Sequence, residues 1–350
     1  MAALRAVAGR PVLRAILDTP FLRARFARGR STPVEGQVVD EAIAVILALD
    51  DLAHDSDHTH RTPAAARVRM RESMAVVDAE PPPGVTTRDE VIAGAIPSRL
   101  YIPSDLPAPS PGLVYLHGGG WVTGDLETYD RFCRRFAARA RIRVVSVDYR
   151  LGPEHRYPAA VDDALAAFRH VAGAAESFGI DPTRLGVGGD SAGGNLSAVV
   201  ARRTRGEKVT PAATVLIYPA VDSTLSSQSH ATFAERYLLT RPNIDWYLGH
   251  YLGDVAGQVR EPDVSPLLAP DAEGLGPHLI TTAHFDPLRD EGEAYAKKLA
   301  AAGAKVKLVR CPRLIHGFAV MGGASPAAFA ATDALIADAA AALRGELGYG

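Results

Sequence analysis

From Thr86 onward, short apolar runs alternate with stretches of helical period, and this alternation limits the fold more than any other feature of the chain. Strands are predicted at 87–93, 96–102, 113–116, 142–147, 184–187, 212–217, 279–283 and 306–309. Helices are predicted at 129–139, 159–174, 195–203, 291–302 and 327–343. The first two strands read as a pair joined by Ala93-Gly94-Ala95, and the rest are mostly separated by helix. Parallel neighbours need such crossovers, so the pattern implies an α/β fold: a mostly parallel, eight-stranded sheet flanked by helices on both faces. In sheets of this kind, reactive groups gather in the loops that leave the carboxyl ends of the strands.

Two stretches depart from the alternation. Before the Pro81-Pro82-Pro83-Gly84 linker the chain reads as helical, with Ile43, Ile46, Leu47 and Leu49 on the buried side of one helix and another helix at 63–74. Residues 1–30 carry Arg5, Arg10, Arg14, Arg23, Arg25, Arg28 and Arg30 against the single acid Asp18. Arginine stems cover apolar surface well, so this reads as helices packed over the main domain rather than as a targeting segment. Between Pro219 and Pro266 the rhythm breaks again, and Phe233, Tyr237, Trp246, Tyr247 and Tyr251 crowd together. The expected organisation is therefore a cap built from residues 1–80 and 220–265 over a core domain of 81–219 and 266–350. More than half of the clustered aromatics are expected to be the cap's own core; Phe233, Tyr237 and Trp246, together with Trp121 and Asp190, are candidate pocket residues.

Charge and cysteine usage exclude some partners. A formal net charge of -2 gives no electrostatic reason to expect nucleic acid or an anionic membrane. No apolar run reads as a membrane span, and the first residues lack a contiguous apolar segment ending in a cleavage site. Cys133 and Cys311 make no disulfide framework, so reduced thiols and a cytoplasmic location are expected. The 54–60 loop holds His54, Asp55, Asp57, His58 and His60, but a loop lacks the one-face geometry of a two-His helix, and no metal is expected.

Chemistry concentrates in four post-strand loops. Gly189-Asp190-Ser191-Ala192-Gly193-Gly194 sits between a predicted strand and a predicted helix and fits a nucleophile elbow, where a sharp turn presents the serine hydroxyl. After the 113–116 strand comes His117-Gly118-Gly119-Gly120-Trp121, whose glycines offer backbone N–H groups to a developing oxyanion. No Gly-Lys-Ser/Thr ending follows, which argues against a phosphate loop. A serine hydroxyl needs a base, and the base needs an orienting acid. Asp286 and His316 follow the last two strands in the order Ser, Asp, His, with Asp290 and Glu291 as rivals for the acid. Of the other histidines, His117 and His155 lie in loops that could reach the site, while His170 and His284 read as structural.

These motifs, with Asp148-Tyr149-Arg150-Leu151-Gly152-Pro153-Glu154-His155, Asp286-Pro287-Leu288-Arg289-Asp290-Glu291-Gly292 and His316-Gly317-Phe318, resemble the hormone-sensitive-lipase branch of α/β-hydrolases, the bacterial family IV carboxylesterases. The resemblance runs from about Thr86 to the C-terminus. It implies Ser191 as nucleophile, His316 as base and Asp286 as acid, with Gly119, Gly120 and Ala192 as oxyanion donors and His117 and Gly118 supporting that loop. It also implies short-chain esters as substrates, no cofactor, and a homodimer paired near 306–309. The family usually has Glu at His284 and Ala at Gly152. The leading expectation is a serine carboxylesterase. Amide or carbamate hydrolysis by the same triad is the alternative, and a small-molecule receptor is a third reading, disfavoured because His316 is present.

Overall fold

The computed structural model describes residues 2–30, 32–53 and 56–349, with side chains from residue 9 onward. The Arg5 side chain, His54 and Asp55, all singled out above, lie outside this description.

Four helices come first: α1 (Ala2–Asp18), α2 (Pro20–Ala27), α3 (Glu41–Ala53) and α4 (Pro63–Val77). Local signals start them: Pro20 and Pro63 stand at first helical positions, and the Thr62 side chain caps α4 by accepting from Ala65 N. The antiparallel pair β1 (Val85–Ile92) and β2 (Ile96–Pro103) follows, then β3 (Ser110–Leu116), α5 (Asp130–Ala140), β4 (Arg143–Val147), α6 (Ala159–Gly173), β5 (Ile180–Asp190), α7 (Ala192–Arg203) and β6 (Thr214–Ile217). The interruption contains α8 (Gln228–Thr232), α9 (Arg241–Tyr251) and α10 (Val255–Gln258). The chain closes with β7 (His278–Phe285), α11 (Arg289–Ala301), β8 (Val306–Ile315) and α12 (Pro326–Arg344).

The eight strands form one sheet in the order β1-β2-β4-β3-β5-β6-β7-β8. Only the β1/β2 and β2/β4 pairs are antiparallel. Alternate residues of the central strands face opposite sides, as the period of two requires. Tyr115 and Val144 join a cluster with Phe132 and Phe136 of α5 and Ile336 and Leu343 of α12, whereas Val114 and Val145 join Phe168 of α6 and Leu196 and Val199 of α7. Burial on both faces explains why β3 and β4 read as continuous apolar runs rather than as alternating ones.

The described N-terminal arginines divide between pairing groups and groups turned to water. Arg10 pairs with Glu80, Arg23 Nε donates to Glu41 at 2.9 Å, and Arg30 is buried and donates to Asp51 at 2.6 Å. Arg14, Arg25 and Arg28 face solvent. One expectation needs correcting: α12 is long and apolar enough, by length and composition, to cross a bilayer. Its Leu335, Ile336, Ala339 and Leu343 are instead buried in the core, which accounts for an alanine-rich apolar face on a helix laid against a sheet.

Asp78 ends α4 inside the protein, 2% exposed, with Oδ1 accepting from Ala79 N and Oδ2 without a partner among the described residues. Burial raises its carboxyl to about 7. The folded chain therefore holds this proton to a higher pH than the unfolded chain does, and stability drains away as pH rises from about 4 to about 7. Asp78→Asn keeps an acceptor for Ala79 and removes the ionisation. It should match the parent below about pH 4 and exceed it above pH 7 by up to roughly 4 kcal/mol. Urea unfolding of both proteins at pH 4, about 6 and about 8 measures the divergence; parallel curves would show that Asp78 titrates normally.

Candidate active site

The junction of β5 and α7 is built by close backbone approach. Ser191 is held at φ 53°, ψ −117°, an uncommon conformation for a residue with a Cβ. Its N–H donates to Ile217 O at 2.9 Å, and its own carbonyl accepts from Ala220 N at 3.2 Å, so the turn is tied to the neighbouring strand on both sides. A Cβ on Gly193 would fall 1.9 Å from Leu116 O, so only glycine lets the helix start this close to the end of β3. The helix begins at Ala192, three residues before the predicted start at Asn195, because two glycines that read as turn are its first turn.

Asp286 directly follows β7 and His316 directly follows β8, so the parallel sheet delivers both side chains to the same edge as Ser191. His316 Nε2 lies 3.0 Å from Ser191 Oγ, and His316 Nδ1 lies 2.8 Å from Asp286 Oδ2. Asp286 is fully buried, and its other oxygen accepts from Leu288 N at 2.8 Å, which fixes the carboxylate plane. The rivals for the acid are engaged elsewhere. Asp290 accepts from Ser229 N at 2.9 Å and from Arg289 Nε at 2.8 Å. Glu291 faces His230 Nε2 at 2.7 Å and accepts from Val221 N and Asp222 N, and burial raises its carboxyl.

The glycine loop after β3 is anchored by Asp190. One oxygen of this buried carboxylate accepts from Tyr115 Oη at 2.7 Å and from Gly118 N at 2.8 Å, and the other accepts from Tyr129 Oη at 3.0 Å. His117 is fully buried, stacks on Tyr149 with ring centroids 4.3 Å apart, and donates from Nδ1 to Gly118 O at 2.8 Å. Burial lowers its pKa to about 4, so the ring is neutral at neutral pH. The loop turns at Gly119, φ +119°, whose carbonyl accepts from Val122 N and Thr123 N. Among the described residues, the N–H groups of Gly119, Gly120 and Ala192 donate to no protein acceptor.

Those three residues border the same cavity as Ser191 and His316. It offers about 150 Å³ to water and is walled mainly by Met70 and Met74 of α4, Ile244, Tyr247 and Leu248 of α9, Leu225, Leu239 and Val320. Of the candidate pocket residues, Trp121 lines it and stacks on Tyr251, while Asp190 borders it with both oxygens already engaged. Phe233, Tyr237 and Trp246 do not line it, which corrects the expectation. Phe233 is fully buried against Tyr237, His284 and Phe285; Tyr237 stacks on Phe285 beneath Arg30; Trp246 packs between His58 and His250. Sequence reasoning missed Met70 and Met74, although their i, i+4 spacing on a predicted helix is the signal that places both on one face. Of the other histidines, His155 is exposed and does not reach the cavity, His170 stands edge-on to Phe178, and His284 Nε2 meets Val34 O at 3.1 Å.

Comparison with known proteins agrees with this architecture. Residues 113–320 match the family described as the alpha/beta hydrolase fold. The carboxylic ester hydrolase LipN of Mycobacterium tuberculosis is 44% identical over 322 residues, covering 86% of this chain and 82% of the relative. An ethyl acetate hydrolase of Pseudomonas putida is 38% identical, covering 73% of this chain and 83% of the relative. An ester hydrolase from the metagenome of Lake Arreo, Spain, solved with a bipyridine phosphonate derivative, superimposes with a TM-score of 0.81 at 39% identity, covering 87% of this chain and 99% of that one. With that match over more than half of the chain and those relatives across most of its length, the chain belongs to the α/β-hydrolase family, in its hormone-sensitive-lipase-like branch.

Proposed function

We propose that this protein is a serine carboxylesterase acting on short-chain esters through an acyl-enzyme. The observation that carries the reading is the unbroken chain Ser191 Oγ, His316, Asp286, at 3.0 and 2.8 Å, opening onto a mainly apolar cavity bordered by three unengaged backbone donors. Ser191 Oγ attacks the ester carbonyl as His316 Nε2 takes its proton. Asp286 holds the imidazole by Nδ1 and stabilises the imidazolium. The carbonyl oxygen becomes negative and accepts from Gly119, Gly120 and Ala192 N–H groups, which need no reorganisation to receive it. His316 then protonates the leaving alcohol, and water resolves the acyl-enzyme by the same steps in reverse.

Several features support the finer parts of this reading. Met70 and Met74 from the N-terminal segment and Tyr247 and Leu248 from the 220–265 segment enclose the cavity, which favours a two-part cap over a core of 81–219 and 266–350. The small volume favours short acyl chains, in keeping with the name of the ethyl acetate hydrolase relative. Cys133 and Cys311 are both free and buried, which fits a reducing cytoplasm. β8 is an end strand of the sheet, which suits a homodimer paired along it. A p-nitrophenyl ester series of rising acyl length, run beside a matched anilide, tests the activity. Acetate and butyrate should be turned over far faster than longer chains, and the anilide slowest; a faster anilide would move the assignment to amide hydrolysis.

A further inference from the structure

Helix α9 sits directly on the donor loop. A Cβ built on Gly120 would fall 2.2 Å from Cδ1 and 2.3 Å from Cγ of Tyr247, so the phenol ring rests on the Gly120 backbone. One turn further along, Tyr251 stacks on Trp121 with ring centroids 4.4 Å apart and planes within 8°. Beside it, a Cβ on Gly152 would fall 2.7 Å from His250 O, so the departure from the family's usual alanine lets the end of α9 lie against the body. Tyr247 is also pinned from other sides, with the Trp246 ring 5.2 Å and the His58 ring 5.5 Å away. Its hydroxyl meets the Thr123 side chain, and Thr123 Oγ1 donates to Gly119 O at 2.9 Å. An aromatic ring that lines the cavity is therefore fixed one contact away from a backbone N–H that the proposed mechanism aims at the carbonyl oxygen.

We infer that Tyr247 sets the specificity of this site by excluding esters branched at the carbon next to the carbonyl, while leaving room for unbranched acyl chains. The inference rests on the esterase reading above. With the carbonyl oxygen at Gly119, Gly120 and Ala192, a linear chain can turn from the carbonyl toward Met70, Met74 and Val320. A quaternary α-carbon carries methyl groups in three directions, so rotation about its bond to the carbonyl carbon cannot clear all of them from the side on which the Tyr247 ring lies against Gly120. Removing one or two such contacts in a close-fitting pocket changes discrimination by roughly 10- to 200-fold.

The test is the ratio of kcat/KM for p-nitrophenyl pivalate to that for p-nitrophenyl butyrate, in the parent, Tyr247→Phe, Tyr247→Leu and Tyr247→Ala. The ratio should rise about tenfold or more in Tyr247→Ala, rise less in Tyr247→Leu, and stay within about twofold of the parent in Tyr247→Phe, which keeps the ring. Tyr247→Leu decides the matter if Tyr247→Ala fails to fold. An unchanged ratio in folded Tyr247→Ala or Tyr247→Leu overturns the inference, as does an equal rise in Tyr247→Phe. A parent protein inactive on both esters would instead remove the esterase reading, so the two failures are distinguishable.

Discussion

Replacing Ser191 with alanine is expected to lower ester turnover by on the order of 10⁶ while leaving the fold and substrate affinity nearly unchanged. The hydroxyl is the only group that alanine lacks, and its hydrogen bond in the structure is to His316 Nε2. The backbone ties of the turn, Ser191 N to Ile217 O and Ala220 N to Ser191 O, do not involve the side chain. Thermal melting should therefore move little. A residual rate of roughly 10³ to 10⁴ over water should survive, because the proposed oxyanion donors and the cavity remain. A turnover loss of only tenfold in a folded Ser191→Ala protein would mean that the ester is attacked by something else, such as a water activated by His316.

The fold was readable from the sequence to the extent that it is written in apolar runs. All eight strands are legible, and β3 and β4 stand out most because their residues are buried on both faces. The lengths of the strands are not. β5 was expected to span four residues but runs over Ile180–Asp190, since Asp181, Pro182 and Thr183 on one side and Gly188 and Gly189 on the other carry no apolar signal. It gains Ile180 at one end and Gly188 to Asp190 at the other by pairing with β3 and β6, with 181–184 in a register shift between them, a tertiary effect that local propensity cannot report. β8 was similarly cut short at its charged half, where Arg310 and Arg313 face outward from an edge strand.

The site divided along the same line. Ser191, Asp286 and His316 stood out because each follows a strand and each belongs to a recognisable local motif. The supports beneath them left no such trace. Tyr115 and Tyr129 reach Asp190 across 75 and 61 residues, and nothing near either tyrosine marks it as a donor. Phe233, Tyr237 and Trp246 fail as pocket candidates because aromatic density marks burial without saying which cavity, if any, the rings face. Phe233 and Tyr237 pack on Phe285, and the ring that reaches the donor loop is Tyr247.

The second large effect concerns the acid. Asp286→Asn should lower turnover by about 10⁴ with KM little altered. An amide in this buried position offers N–H to His316 Nδ1, 2.8 Å away, and so favours the tautomer with the proton on Nε2. That nitrogen then cannot accept the Ser191 proton at 3.0 Å, and the attacking group stays a neutral alcohol. Asp290→Asn is the matching control. Its carboxylate serves Ser229 N and Arg289 rather than His316, and turnover should stay within about tenfold of the parent. If the two variants exchanged their effects, the acid would have to be reassigned to Asp290.

The proposed nucleophile can be observed without any choice of ester. A small fluorophosphonate should react with the parent protein to give a single adduct, and peptide mass spectrometry should place it on Ser191. The same reagent should leave Ser191→Ala and His316→Ala unmodified over the same period, since one lacks the oxygen and the other the base 3.0 Å from it. An adduct on another residue of the parent, or an equal rate of labelling in Ser191→Ala, would contradict the assignment of this site as a serine hydrolase centre.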